Sequence, residues 1–265
     1  MLTALLTLVL ALSQLGASRT ALATVADVRG RVIVDIEADD FVVRETGKPR
    51  EVLSVRVADY PIAIVLDSGP GAGQDFAAIR EAAARFIGRI GHRPIAVALS
   101  DPVRLIATFD DDRANVVQAL EKATPSGSGE GLFQAIVAAA HAISESGSPF
   151  SAIVVVTASP LASVPSELLT PILASGATIH VIVAGGGQTA GGSGDALRAL
   201  ADETHGQFTT IYLSASYQIA LDRLADRLAP QLMVEYVVPA GSSSGNDVQL
   251  GVRIPGARVI GLGVK

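Results

Sequence analysis

Pro61-Ile62-Ala63-Ile64-Val65-Leu66-Asp67-Ser68-Gly69-Pro70-Gly71 is an uninterrupted apolar run that stops at a lone aspartate and a glycine-rich turn. A continuous apolar stretch of this length, rich in β-branched residues, is what a strand covered on both faces needs. Beyond the turn, Phe76, Ile79, Ala83 and Ile87 recur at helical spacing. Strand, glycine turn and helix together describe the opening of an α/β unit, and in open α/β sheets ligands sit beyond the carboxyl ends of the strands. Asp67 is therefore expected at the top of a first parallel strand, on the face where a ligand would bind.

The same alternation continues down the chain. Residues 95–99, 104–109, 152–157 and 178–184 read as strands, with helical patterns at 112–122, 132–144, 165–174 and 195–204 between them. Strands separated by helices imply βαβ crossovers and a doubly wound, mostly parallel sheet. Only Ser100-Asp101-Pro102-Val103 separates two of these strands, which is too short for a helical crossover, so one antiparallel edge strand is expected. Asp110-Asp111-Asp112 reads as the cap and acidic approach to the helix that follows.

The chain has 265 residues, 49% of them hydrophobic, with a mean hydropathy of +0.44, enough for a large core. A formal net charge of −6 and the absence of a Lys/Arg cluster argue against nucleic acid as a partner. No cysteine occurs, which excludes thiolate catalysis and disulfides. Met1 to Leu12 form an apolar segment too short to span a bilayer, followed by small residues with Ala21-Leu22-Ala23 as a candidate cleavage site. This predicts a leader over residues 1–23, an exported protein in the periplasm or outside the cell, and membrane contact only through an uncleaved leader.

The run Asp67-Ser68-Gly69-Pro70-Gly71 resembles the first loop of a von Willebrand factor type A domain, whose metal-ion-dependent adhesion site opens Asp-x-Ser-x-Ser. Asp67 is kept, while Gly69 and Gly71 stand where the family has hydroxyls. The family's second loop carries a ligating threonine just before a helix, and in Ser128-Gly129-Glu130-Gly131-Leu132-Phe133-Gln134-Ala135 that position is Glu130. The third loop, Thr-Asp-Gly in the family, reads Thr157-Ala158-Ser159. Asp40, Phe41, Glu45, Gly47, Lys48 and Pro49 resemble a stretch that precedes the domain in a bacterial subgroup, and the Tyr236 strand resembles the one that follows it.

What the resemblance implies is a type A domain over residues 61–229, flanked by an accessory β segment at 24–60 and a C-terminal β extension at 230–265. In the extension, Val248–Ile254 and Arg258–Val264 are expected to pair across Pro255-Gly256. The two ends of the chain are expected to form one small sheet. The function implied is an exported, non-enzymatic module that binds a protein partner without a metal or other cofactor, through a loop face of Asp67, Ser68, Gly69, Glu130, Ala158 and Ser159. The alternative is a Mg²⁺-dependent adhesion domain with a rearranged Asp67/Glu130 site, since a hard cation needs several oxygen ligands.

Other chemistries lack their parts. Asp67-Ser68-Gly69 matches the turn of a subtilisin-like protease, but no serine sits in a nucleophile elbow and none of His92, His141, His180 and His205 lies in a matching context. Gly69, Gly71 and Gly73 are spaced G-x-G-x-G, without the third glycine of a dinucleotide loop. Gly185 to Gly194 read as a surface loop, His180 as a hydrogen-bonded histidine within a strand, and Tyr217, Tyr236 and Phe208 as core.

Overall fold

A computed structural model describes residues 17–125, 131–158, 165–185, 195–240 and 247–264. In chain order the elements begin with β1 (Ala17–Ala26), β2 (Val32–Ile33), β3 (Phe41–Glu45), β4 (Lys48–Arg50) and β5 (Val52–Val57). There follow β6 (Ile62–Leu66), α1 (Phe76–Arg89), β7 (Ile95–Ser100), β8 (Val103–Ala107), α2 (Arg113–Glu121), α3 (Leu132–Ser146) and β9 (Ala152–Thr157). Next come α4 (Ser166–Ala174), β10 (Thr178–Ala184), α5 (Asp195–Glu203), β11 (Phe208–Ile211) and α6 (Ser216–Leu228), and the chain closes with β12 (Leu232–Val238), β13 (Val248–Val252) and β14 (Arg258–Val264). The chain divides into two compact units, one of residues 59–229 and one made from the residues up to Ala58 together with those from Pro230 onward.

The first of these is a doubly wound sheet in the order β11-β10-β9-β6-β7-β8. β6 lies in the middle, parallel to β7 on one side and β9 on the other, and all five of its residues are buried. Its apolar run is explained by that position, since a central parallel strand has no wet face. β8 runs antiparallel to β7, and the link is only Asp101-Pro102, because Ser100 and Val103 pair with each other. On one face Phe133, Ile136, Ala139, Ala140 and Ile143 of α3 pack on Val65, Val155 and Val181. α1 buries Phe76, Ile79, Ala83, Phe86 and Ile87, the stripe its spacing predicts. Asp112 caps α2 by accepting the Asn115 N–H, also as read from the sequence.

The second unit has the accessory sheet expected from the two ends of the chain, five-stranded with the path β14-β1-β12-β5, to which β2 adds, and holds in addition a three-stranded sheet β13-β3-β4. One pairing differs from expectation: β13 and β14 do not pair with each other, since β13 pairs with β3 and β14 with β1. The turn between them, closed by the Ala257 N–H on the Ile254 carbonyl at 3.1 Å, carries the chain from one sheet to the other. Phe41, Val43, Val234, Tyr236 and Val248 fill the core of this unit.

The expected cleavage point also falls in a strand. Ala21 and Ala23 are buried in β1, opposite Val234 and Leu232 of β12, and Ala21 also opposes Val264 of β14. A cut after Ala23 would remove residues 17–23 of this ten-residue strand, the whole stretch that pairs with β12. Residues 1–16 lie outside the described residues. No helix among the described residues is long and apolar enough to cross a membrane.

Candidate functional site

β6 ends at Leu66, and the next residue turns over the sheet edge onto which β7, β9, β10 and β11 also open. Asp67 keeps the ladder going with its own N–H, which donates to the Val156 carbonyl at 2.9 Å. Its side chain points back into the protein and is only 6% exposed. Burying a carboxylate costs several kcal/mol unless its oxygens are bonded, at roughly 1.5–3 kcal/mol per charged hydrogen bond. Oδ1 accepts the Gly69 N–H at 3.1 Å and the Ser100 hydroxyl at 3.3 Å. Oδ2 accepts the Thr157 hydroxyl at 2.8 Å and the Ala158 N–H at 3.3 Å. One carboxylate thus ties together the ends of β6, β7 and β9.

Ser68 is fully buried and spent in the same way. Its N–H donates to Ser100 Oγ at 2.9 Å; its hydroxyl donates to the Asp101 carbonyl at 3.0 Å and accepts the Asp101 N–H at 2.9 Å. Gly69 opens a single 3-10 turn, Pro70–Ala72, before α1, so the glycine run forms a compact turn. Gly131, just before α3, lies under the β7–β8 hairpin: a Cβ there would come 2.1 Å from the Ser100 carbonyl oxygen and 2.5 Å from Val103 Cγ2. Only glycine lets the second loop approach this closely.

Asp67, Ser68, Gly69 and Ala158 are therefore brought together, while Glu130 and Ser159 lie outside the described residues. Ser100, Thr157 and Asp101 belong to the site and were not among the candidate site residues read from the sequence. Their signal was positional, since each stands at the carboxyl end of a strand of the sheet that carries Asp67. Tyr217 of α6 completes the cluster, donating its hydroxyl to the Thr157 carbonyl at 3.2 Å. Burial first, then the negative charges of Asp75 and Asp67, push its phenol well above the usual tyrosine range. Ser214 donates its hydroxyl to Asp75, joining the loop before α6 to the loop before α1.

As a metal ligand set, the described part of this site is poor. Both Asp67 oxygens and the Ser68 hydroxyl are engaged by protein donors, Gly69 and Ala158 bring no side-chain oxygen, and a hard cation needs near-octahedral oxygen ligation. Among the described residues no group of three or more His, Cys, Asp or Glu side chains is placed to hold a metal. His180 is remote from this chemistry: it is 3% exposed in β10, accepts the Gln207 N–H on Nδ1 at 3.1 Å, and burial and Arg227 lower its pKa to about 3.

No family model matches the sequence, and no curated protein matches it. Solved structures do. A von Willebrand factor type A protein from Catenulispora acidiphila superimposes with a TM-score of 0.54 at 12% identity, over 95% of this chain and 73% of that one. The vWF domain of the type V pili tip protein Mfa5 from Porphyromonas gingivalis gives 0.50 at 12% identity, over 65% of this chain and 95% of that one. Proximal thread matrix protein 1 from the mussel byssus gives 0.51 at 13% identity, over 66% of this chain and 49% of that one. With the sheet order, the antiparallel edge strand and the aspartate at the end of the central strand, these likenesses establish that this chain has the von Willebrand factor type A fold.

Proposed function

We propose that this chain is an exported, non-enzymatic module that binds a protein partner through the loop face around Asp67, and that it does so without a metal. The observation that carries this reading is the state of Asp67: its two oxygens accept four protein donors, so the carboxylate works as a tie between three loops. Loop ends tied this way are held in place before a partner arrives, which lowers the entropy cost of binding. A triad hydrolase is disfavoured because the Ser100 and Thr157 hydroxyls bond to Asp67 with no histidine between them. The likeness to a pilus tip protein's domain, and the apolar segment Met1 to Leu12, support export and a role outside the cytoplasm.

Calorimetric titration of the full chain with Mg²⁺ and Mn²⁺ tests the metal-free reading. No binding heat is expected at millimolar cation. Heat that disappears in both Asp67→Ala and Glu130→Ala would overturn it and establish the alternative, a metal-dependent adhesion domain with a rearranged Asp67/Glu130 site.

A further inference from the structure

The loop from β11 into α6 carries an apolar group that the core does not use. Tyr212 is 79% exposed, Leu213 71% and Ile219, in the first turn of α6, 53%. Scattered exposed apolar residues are ordinary, but an aromatic and a leucine adjacent in the chain, followed by an isoleucine in the first turn of the next helix, concentrate exposed apolar surface of the kind that marks an interface. β11 runs parallel to β10, which is parallel to β9, so Tyr212 leaves the sheet on the same edge as Asp67.

The patch is held in place. The Ser216 N–H donates to the Leu213 carbonyl at 2.8 Å and the Tyr217 N–H to the Ser214 carbonyl at 3.2 Å. Ser214 is anchored on Asp75, and Tyr217 on Thr157. The Tyr212 ring rests against Gly185, where a Cβ would stand 3.1 Å from its Cε1, so the ring has a backbone floor and an open outer face. Anchors already fixed before binding cost little entropy to bury.

Charge selects the occupant. Among the described residues, the loops that follow β6, β7, β9, β10 and β11 contain Asp67, Asp75 and Asp101 and no lysine or arginine. Asp67 and Asp101 are buried, and Asp75, half-buried against Ser214, is the carboxylate next to the patch. Negative charge there attracts a cationic group and repels an acidic one.

We propose that Tyr212, Leu213 and Ile219 are the anchoring part of the docking surface, and that it takes a protein segment presenting an apolar side chain beside Lys or Arg. This rests on the reading of the loop face as a metal-free binding surface and assigns that surface's partner chemistry. A metal-bearing site would favour the opposite charge.

The test is selection of a displayed random dodecapeptide library on the full chain in EDTA, followed by titration of the enriched synthetic peptides. Enriched peptides are expected to combine an aliphatic or aromatic residue with Lys or Arg, and to lose at least about tenfold in affinity on Tyr212→Ala and on Leu213→Ser. Asp75→Asn, which keeps an acceptor for Ser214, is expected to weaken binding and flatten its salt dependence. Enriched acidic peptides, peptides indifferent to both patch variants, or no enrichment over a Tyr212→Ala/Leu213→Ser control would each overturn the proposal while leaving a metal-free module standing. Peptides that bind only when Mg²⁺ is restored would instead sink the metal-free reading. A concentration-dependent dimer abolished by the patch variants would show that the occupant is a second copy, and would also overturn the proposal.

Discussion

Acidification reads out the burial of His180. Its imidazole titrates at about 3 in the folded chain against 6.5 for an unperturbed histidine, because burial, aided by Arg227, disfavours the charged ring. A folded pKa lowered in this way means that the unfolded state takes up a proton first. The stability that comes from holding the ring neutral is complete above about pH 6.5 and is lost as the pH falls toward about 3. Between about pH 7.5 and about pH 5 the loss from this one group amounts to about 2 kcal/mol, at about 1.4 kcal/mol per unit below the unfolded value. Carboxylates add their own acid dependence, so the assay compares wild type with His180→Asn, whose amide oxygen can still accept the Gln207 N–H but does not titrate. Guanidinium unfolding at both pH values is expected to show the difference between the two proteins narrowing by about 2 kcal/mol on acidification. If both lose stability in parallel, the imidazole is not held neutral by burial and the reasoning fails.

Asp67→Ala is expected to destabilise the chain by about 2–4 kcal/mol in urea unfolding, because it strands the buried donors of Thr157 and Ser100; a cost under about 0.5 kcal/mol would show that the carboxylate ties nothing. This exceeds the roughly 1 kcal/mol expected for an aspartate that merely accepts from its own turn. Gly131→Ala is expected to cost about 1–3 kcal/mol through the clash with Ser100, measured as a lowered unfolding midpoint, while the same change at Gly88, where a Cβ meets nothing within 4 Å, should be tolerated. A chain beginning at Thr24 is expected to lose amide protection in β12 and β14 on hydrogen exchange while β6 and β9 keep theirs; retained protection of β12 would refute the central placement of β1. Tyr217→Phe is expected to cost about 1 kcal/mol, the net value of its bond to the Thr157 carbonyl, by the same unfolding measurement.

The main sheet was legible because its signals are local. Ile62 to Leu66 and Ile153 to Val156 are continuous apolar runs that only a buried parallel strand needs, and the four residues 100–103 leave room for nothing but a hairpin. The other unit was less legible because its pairings are distant in sequence. Ala21-Leu22-Ala23 has the small-residue character of a cleavage site, and its role as strand appears only when Val234 and Leu232 are set opposite it. The turn at Ile254–Ala257 likewise suggests a hairpin, and the change of sheet is decided by the partners β3 and β1. At the site, Asp67 stood out as a charge closing an apolar run. Ser100 did not, because a hydroxyl at a strand end carries no sign of which distant carboxylate it will meet, and Thr157 was marked only by its match to the family's third loop.

β1 lies between strands that come from the other end of the chain, and this sets an order of events during folding. Until Leu232 to Val238 have been made, Ala17 to Ala23 have no neighbour on the β12 side and Phe41 to Glu45 have no β13. Closing a flexible loop of about 170 residues to bring these partners together would cost about 4–5 kcal/mol of chain entropy. Once residues 59–229 have folded, the Ala58 N–H reaches the Gln231 carbonyl at 2.8 Å, so the two arms leave the finished insert side by side. The sheet domain thus acts as a clasp for a unit that could not cheaply assemble by itself. A fault in Asp67 or Gly131 should therefore delay closure of β1 with β12.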